Sequence, residues 1–341
     1  MIDLRSDTVP PTPAMRRAMA EADVGDELFG EDPTARRLEA YAANLLGKEA
    51  ALLLPTCTLG NAVAVLAHGA DQDRVLIDVE GHIHRREMQP PSILSALRPT
   101  FYDEPDGAPS LEVLRRFCTA ARTPSLVCVE TTHTWRRGMA VPLVRLQATA
   151  EEARRQAVPV HLDGARLFYA AAALDVESSA MAAAADSVVF SLCKGIGAPA
   201  GAILAGSAAF IATARRILFA LGGTLRMPGV IAAPGLLALE KGRGSLKRDF
   251  ASAQRLAQTM AGFGIRAADV PTNVVLFDPS PFGLSGKQFA DLALEGGVQV
   301  ILLGENLVRL TTHSGLSDVD LVTAENVLSA IVQRYSRERA G

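Results

Sequence analysis

Residues 158–194 read VPVHLDGARLFYAAAALDVESSAMAAAADSVVFSLCK, and their pattern decides the fold. VPVHLD (158–163) and DSVVFSL (186–192) are short runs with an almost wholly apolar interior. The alanine-rich region between them, 169–185, has the composition of a tightly packed helical segment. A strand without a polar face is buried on both sides. The unit therefore predicts an α/β fold with a parallel or mixed sheet covered by helices on both faces. In open sheets of that kind, ligand-binding groups collect at the carboxyl ends of the strands. Here those ends deliver Asp163-Gly164-Ala165-Arg166 and Ser191-Leu192-Cys193-Lys194. One strand–helix–strand repeat separates Asp163 from Lys194, so neighbouring strands can offer both to a single ligand.

The alternation extends outward. ALLLP (51–55), RVLIDVE (74–80), SLVCVE (125–130) and GAILAG (201–206) read as further strands. Helices are expected at 11–22, 34–46, 59–68, near 110–121 and at 147–156, with Asp32-Pro33-Thr34 opening the second. After a long helical stretch, about 208–262, the pattern changes. TNVVLFD, GVQVILL and NLVRLTT read as short strands around one helix (286–295), and a last helix starts near 318. This predicts an extended N-terminal arm (1–15), a large sheet domain (16–245) and a small α+β C-terminal domain (246–341) in the chain of 341 residues.

Hydrophobic residues make up 49% and charged residues 21%, enough to bury a sizeable core. A net charge of −3 supplies no electrostatic reason to bind nucleic acid or an anionic membrane. No apolar run reaches the roughly 18 residues that span a bilayer, and MIDLRSDTV lacks the apolar stretch of a secretory signal. Cys57, Cys118, Cys128 and Cys193 have no metal-ligand spacing, which fits a reduced, cytoplasmic setting. The histidines are dispersed along the chain, so no metal is expected.

Each strand end carries an ordinary reading beside a chemical one. Lys194 could be a solvated loop lysine. Crowded by Gly195, Gly197 and Pro199, it could instead be a partly desolvated amine that forms a Schiff base. Asp163 could cap a helix, or it could hold a pyridine nitrogen protonated so that the ring acts as an electron sink. Thr56-Cys57-Thr58 could simply cap the next helix, or its backbone could bind phosphate at the helix N-terminus. No Walker motif or GxGxxG occurs. His82, Glu87 and His133 gain interest only from falling at strand ends. Arg309 could bind a carboxylate through its two-pronged guanidinium.

These residues resemble the low-specificity L-threonine aldolases of the β-eliminating lyase group, pyridoxal 5′-phosphate (PLP) enzymes of fold type I. The resemblance runs nearly end to end. It is carried by LRSDTV (4–9), GEDPT (30–34), NAVAVLAH (61–68), ETTH (130–133), HLDGARLF (161–168), KGIGAPAG (194–201), the LGG–R segment (221–226), TNVVLFD (272–278) and RLTTH (309–313). It implies cleavage of the Cα–Cβ bond of a small β-hydroxy-α-amino acid to glycine and an aldehyde. It also implies Lys194 as the Schiff-base lysine and Asp163 as the pyridine-nitrogen partner. Cys57, Thr58 and their backbone match the phosphate loop. His82 matches a histidine stacked on the ring, and His133 a second histidine of the site. Ser6, Arg166 and Arg309 match ligands of the amino-acid carboxylate. Arg226 matches an arginine reaching the site across a subunit interface, which implies a homo-oligomer, a dimer or tetramer with shared sites.

The chain departs from that pattern in places. Thr56-Cys57-Thr58 replaces Ser-Gly-Thr, Cys193 replaces a serine, Phe29 a tyrosine and Phe219 a lysine. Gly222-Gly223-Thr224-Leu225 stands where Gly-Gly-Gly-Met is usual. His84-Arg85-Arg86, Gln89-Pro90-Pro91 and Thr134-Trp135-Arg136-Arg137 replace aromatic and glycine-rich stretches. These changes cluster near the expected cofactor phosphate and substrate side chain, so an altered pocket is expected. Alternatives on the same scaffold are β-elimination, transaldol transfer, racemisation, or a protein without catalysis.

Overall fold

A computed structural model describes residues 1–69, 74–89, 93–119 and 126–337. The end of the expected helix 110–121, Ser125 of the strand 125–130, and the Pro90-Pro91 departure lie outside the described residues. The chain forms two compact units, one of residues 11–243 and one of residues 1–10 with 244–341.

In order, the regular elements begin with β1 (Ile2–Asp3), α1 (Pro13–Ala20), α2 (Pro33–Leu46), β2 (Ala50–Leu54), α3 (Cys57–Gly69), β3 (Arg74–Asp78), β4 (Arg98–Tyr102), α4 (Leu111–Thr119) and β5 (Leu126–Glu130). They continue with α5 (Leu143–Arg155), β6 (Val160–Asp163), α6 (Leu167–Leu174), α7 (Ser178–Ala183), β7 (Ser187–Ser191), β8 (Ala202–Gly206), α8 (Ala208–Ala220) and α9 (Gly229–Lys241). The remainder is α10 (Leu246–Thr259), β9 (Val274–Phe277), α11 (Gly286–Glu295), β10 (Val298–Gln299), β11 (Ile301–Leu302), β12 (Val308–Thr311) and α12 (Asp318–Arg337).

In the larger unit, seven strands form one mixed sheet in the order β2-β8-β7-β6-β5-β3-β4. The neighbours from β7 through β4 run parallel, and β8 is antiparallel to both β7 and β2. Strand alternation sends Leu52 and Leu54 to one face, where they join Val63 and Ala64 of α3 and Ile211 and Ala214 of α8. Leu53 points the other way, toward α9: a methyl group at Gly201 would meet both Leu53 and Ile231 at 3.4 Å. Asp32 fixes two elements at once. Its carboxylate caps α2 at the Ala35 N–H (2.8 Å) and accepts the Gly229 N–H of α9 (2.8 Å).

Several boundaries differ from the sequence reading. Strand β4 was not expected; it carries Pro99, whose missing N–H is tolerated in the sheet's edge strand. The helix expected from residue 147 begins at Leu143. The alanine-rich stretch breaks into α6 and α7 at Asp175, whose φ of 52° is left-handed. The stretch 208–262 resolves into α8, α9 and α10. In the smaller unit, GVQVILL divides at Val300. β10 pairs with β1 in parallel, and β11 joins the antiparallel order β11-β12-β9. The first ten residues thus belong to the unit that holds residues 244–341. Ile2 and Leu4 share a core there with Leu256, Phe289 and Leu310. Among the described residues, no helix is long and apolar enough to cross a membrane.

Candidate active site

Parallel β6 and β7 present their carboxyl ends side by side, with Asp163 opposite Val189 in register. Just past β7 the chain turns under control of Ser191, whose Oγ accepts the N–H groups of Cys193 (3.1 Å) and Lys194 (3.2 Å). Gly195 then takes a φ of 76°, and the Tyr169 ring lies 2.3 Å from where a Cβ would sit. Only glycine satisfies both conditions, so this turn holds Lys194 in one place. Arg166 is buried at the start of α6, three residues past Asp163.

The third contributor is the N-terminus of α3, where the first backbone N–H groups have no partners within the helix. Thr56 caps it, accepting the Leu59 N–H at 3.1 Å, and Cys57 and Thr58 occupy its first turn. The Cys57 thiol is pushed up to about 12 by burial, is lowered by the charge of Lys194, and is raised by Asp163, Cys193 and Glu87. The helix N-terminus therefore sits within electrostatic reach of both Lys194 and Asp163.

Asp163 is 3% exposed. Its carboxylate accepts the Asn61 Nδ2–H at 2.8 Å and the Ala165 N–H at 3.1 Å, and among the described residues it forms no ion pair. Asn61 also donates to Glu87 Oε1 at 3.2 Å, and Glu87 in turn holds His82 Nδ1 at 2.8 Å. The His82 backbone N–H donates to Glu130 Oε2 at 2.6 Å. Residues 82–84 are not extended. His82 caps a π-helical turn, Ile83–Glu87, whose five-residue spacing brings the two side chains of the pair together. Burial opposes a charge on His82, but Glu87, with Asp163 and Glu130 beyond it, outweighs burial and raises its pKa. Asp78, Gly81, His82, Glu130 and Asp163 line one pocket. A larger depression, bordered by Ala150, Arg154, Pro159 and Asp186, lies beyond the amino end of β6. Strand polarity favours the pocket at the carboxyl ends.

His133 is fully buried in the segment after β5. Its Nε2 stands 3.4 Å from Asp78 Oδ2, at ion-pair distance without an aligned hydrogen bond. Arg136 forks onto both Asp78 oxygens at 2.9 and 3.1 Å. Burial pushes the Asp78 carboxyl up, and the nearby His133 and the fork of Arg136 bring it below its ordinary value. Trp135 carries Arg85 and Arg86 over its ring at 5.6 and 5.7 Å, and its centroid is 5.9 Å from that of His82. Arg226, exposed in this chain, forks onto Asp26.

In the larger unit, Cys57 feels the charges of Lys194 and Asp163, His82 and Asp163 line one pocket, Thr58 stands in the first turn of α3, Arg166 opens α6, and His133 lies one strand end away. Ser6 and Arg309 belong to the other unit. There the Ser6 Oγ accepts the Thr8 N–H at 3.2 Å, and Arg309 donates to the Arg5 carbonyl at 3.0 Å. Asn61, a side-chain partner of Asp163, and His161 and Ser187 behind it were missed. The signal present was spacing: His161 and Asp163 are two apart on a strand and share a face.

The β-eliminating lyase family model matches residues 3–280. Low-specificity L-threonine aldolase 1 of Arabidopsis thaliana is 36% identical over 336 residues, covering 94% of this chain and 93% of that protein. The low specificity L-threonine aldolase of Escherichia coli (strain K12) is 34% identical over 326 residues, covering 93% and 95%. The solved structure of Leishmania major threonine aldolase has the same fold, with a TM-score of 0.79 at 18% identity over 97% of this chain and 100% of that one. Matched along nearly all of its length, the chain belongs to the β-eliminating lyase family, among the low-specificity L-threonine aldolases.

Proposed function

We propose that this protein is a PLP-dependent aldolase that cleaves the Cα–Cβ bond of L-β-hydroxy-α-amino acids, of the threonine, allo-threonine or phenylserine type, to glycine and an aldehyde. One observation carries the reading. A buried carboxylate that forms no ion pair among the described residues ends β6, and a lysine held by a constrained turn follows the neighbouring β7. A buried, ionised carboxylate needs a positive partner, and a protonated pyridine nitrogen meets that need. The residues fit the cofactor in kind: an amine for its aldehyde, a carboxylate for its ring nitrogen and a helix N-terminus for its phosphate.

When bound, PLP supplies an electron sink for the bond being broken. Lys194 is its covalent anchor, and Asp163 keeps the ring nitrogen protonated. Cys57 and Thr58, with their backbone N–H groups, take the phosphate, and Arg226 of a neighbouring subunit supports the cofactor across an interface. Ser6, Arg166 and Arg309 are assigned to the substrate carboxylate. His82 would pack on the cofactor ring when it is bound and, with His133, is assigned to the β-hydroxyl proton. Glu87 occupies His82 Nδ1, which leaves Nε2 as the atom that takes the proton. We further propose a homo-oligomer, a dimer or tetramer, working in the cytoplasm, where four free cysteines are stable.

The test is a substrate panel scored for glycine on protein reconstituted with PLP. Wild type is expected to be yellow and to form glycine, and Lys194→Ala to lose both properties. A colourless wild type, or release of ammonia and a keto acid without glycine, overturns the proposal. Sedimentation at enzyme concentration checks the oligomer.

A further inference from the structure

Behind Asp163 runs a file of buried polar side chains that the roles above do not use. Its geometry follows from two periodicities. His161 and Asp163 share a face of β6, two residues apart, and Asn61 and His68 share a face of α3, two turns apart. Ser187, the first residue of β7, completes the file. Asn61 Nδ2 donates to Asp163 Oδ2 at 2.8 Å. His161 Nε2 lies 3.1 Å from Asn61 Oδ1. Ser187 Oγ is 2.8 Å from His161 Nδ1 and 2.8 Å from His68 Nε2. Asn61, His161 and Ser187 are each at most 1% exposed.

The proton positions follow from one end. The Asn61 amide faces two carboxylates, Asp163 and Glu87, and both can only accept when ionised. Its NH₂ must therefore point at them and its oxygen at His161, which must donate from Nε2. A neutral imidazole has one N–H, so His161 Nδ1 accepts from the Ser187 hydroxyl, and the Ser187 oxygen accepts from His68 Nε2. Burial holds His161 down to about 3 and His68 to about 4, so both rings stay neutral near physiological pH. If the amide turned over, its oxygen would face two carboxylates. The His161 N–H, donating to the amide oxygen, holds it the same way round.

We propose that Asn61, His161 and Ser187 are positioning residues: Asn61 sets the Asp163 carboxylate for the ring nitrogen of PLP and ties it through Glu87 to His82, while His161, oriented by Ser187, fixes which way the Asn61 amide points. One amide thereby serves both the partner of the ring nitrogen and the histidine packed on the ring. The inference rests on the reading of Asp163 as the ring-nitrogen partner.

The experiment compares holoenzymes by two readouts, the apparent Kd for PLP and the pH midpoint of the bound cofactor's visible absorption. His161→Leu removes the donor and is expected to weaken PLP binding about fivefold, the equivalent of one hydrogen bond, and to move the midpoint by about half a pH unit or more. Asn61→Ala is expected to move both further in the same direction. His161→Gln retains an amide N–H and is expected to restore more than half of each change. Ser187→Ala, which removes one oxygen, is expected to give a smaller shift of the same sign and serves if His161→Leu fails to fold. Folded variants with wild-type affinity and midpoint, or a glutamine no better than leucine, overturn the inference alone. A wild type that takes up no PLP overturns the functional proposal and this inference with it.

Discussion

Two aspartates occupy equivalent places in one sheet and are treated in opposite ways. Asp78 ends β3 and Asp163 ends β6; both strands run parallel with β5, and the residues are 2% and 3% exposed. Asp78 is neutralised from within the chain by the fork of Arg136 and by His133. Among the described residues, Asp163 accepts hydrogen bonds only from neutral N–H groups. Desolvating a carboxylate is expensive, and among the described residues the chain meets that cost with its own cation at β3 but not at β6. The difference separates a carboxylate that holds a loop in place from one kept for a ligand.

The sharpest way to break this comparison is to neutralise each in turn. Asp163→Ala is expected to reduce glycine formation by about 10²- to 10³-fold, the scale of losing one preorganised electrostatic partner. The stability of the cofactor-free protein should stay equal or rise, because an unpaired buried charge is gone. Asp78→Asn is expected to do the reverse. It strands the Arg136 guanidinium beside a half-empty partner set and should lower unfolding stability by about 3 kcal/mol in a urea titration. Turnover of its folded fraction should stay within about tenfold of wild type, the factor that 1.4 kcal/mol would make. The opposite pattern, an inactive but stable Asp78→Asn with an active but unstable Asp163→Ala, would invert the assignment.

How far this contrast could be read from sequence follows from its physics. Apolar runs ending in Asp163 and just before Lys194 were legible because strand burial leaves a local pattern. The ends of β3 and β5 were legible for the same reason. What neutralises Asp78 was not, since Arg136 comes from a loop 58 positions away. Nor was the file behind Asp163, whose members meet across 102, 100 and 26 positions. Asn61 in the apolar run NAVAVLAH looked like a helix residue because nothing local says that α3 lies on β6. β4 carries Pro99, whose cost depends on being at the edge, and edge position belongs to the sheet as a whole.

Acid titration of stability sharpens the comparison by separating the two sides by pH. His161 and His68, behind Asp163, have depressed pKa values near 3 and 4. The unfolded chain takes up their protons below about pH 6.5 while the folded chain does not. Their penalty is therefore absent above that pH and grows as pH falls toward 4, by up to about 1.4 kcal/mol per unit per histidine. Asp78 has a lowered pKa, so its contribution is complete above its unfolded value and fades as pH falls through its folded one. His161→Gln should flatten the stability curve between about pH 6 and 4, and Asp78→Asn only its lower end. Urea midpoints across that range check both, and a flattening that appears in the wrong window breaks the division.

Glu87 lies between the two cases, sharing the neutral donor of Asp163 while holding a histidine as Asp78 does. If charge pairing is what distinguishes the two aspartates, removing the Glu87 charge must be felt at His82 as a change in protonation. Glu87→Gln keeps an oxygen for Asn61 but withdraws the anion, so burial, which already works against the charged ring, is left with less opposition. The His82 pKa should fall by about one unit, the lower end of what one adjacent charge does. Chemical shifts of labelled histidine followed against pH measure it. A raised value means that a proton is lost from His82 as pH rises through it, so in wild type the stabilisation from the pair is complete at low pH and disappears above that point. In the variant the same loss should occur at lower pH. An unmoved midpoint would mean that Asp163 and Glu130, not Glu87, set the charge of His82, and that the carboxylate left unpaired at β6 already acts on the histidine without a ligand between them.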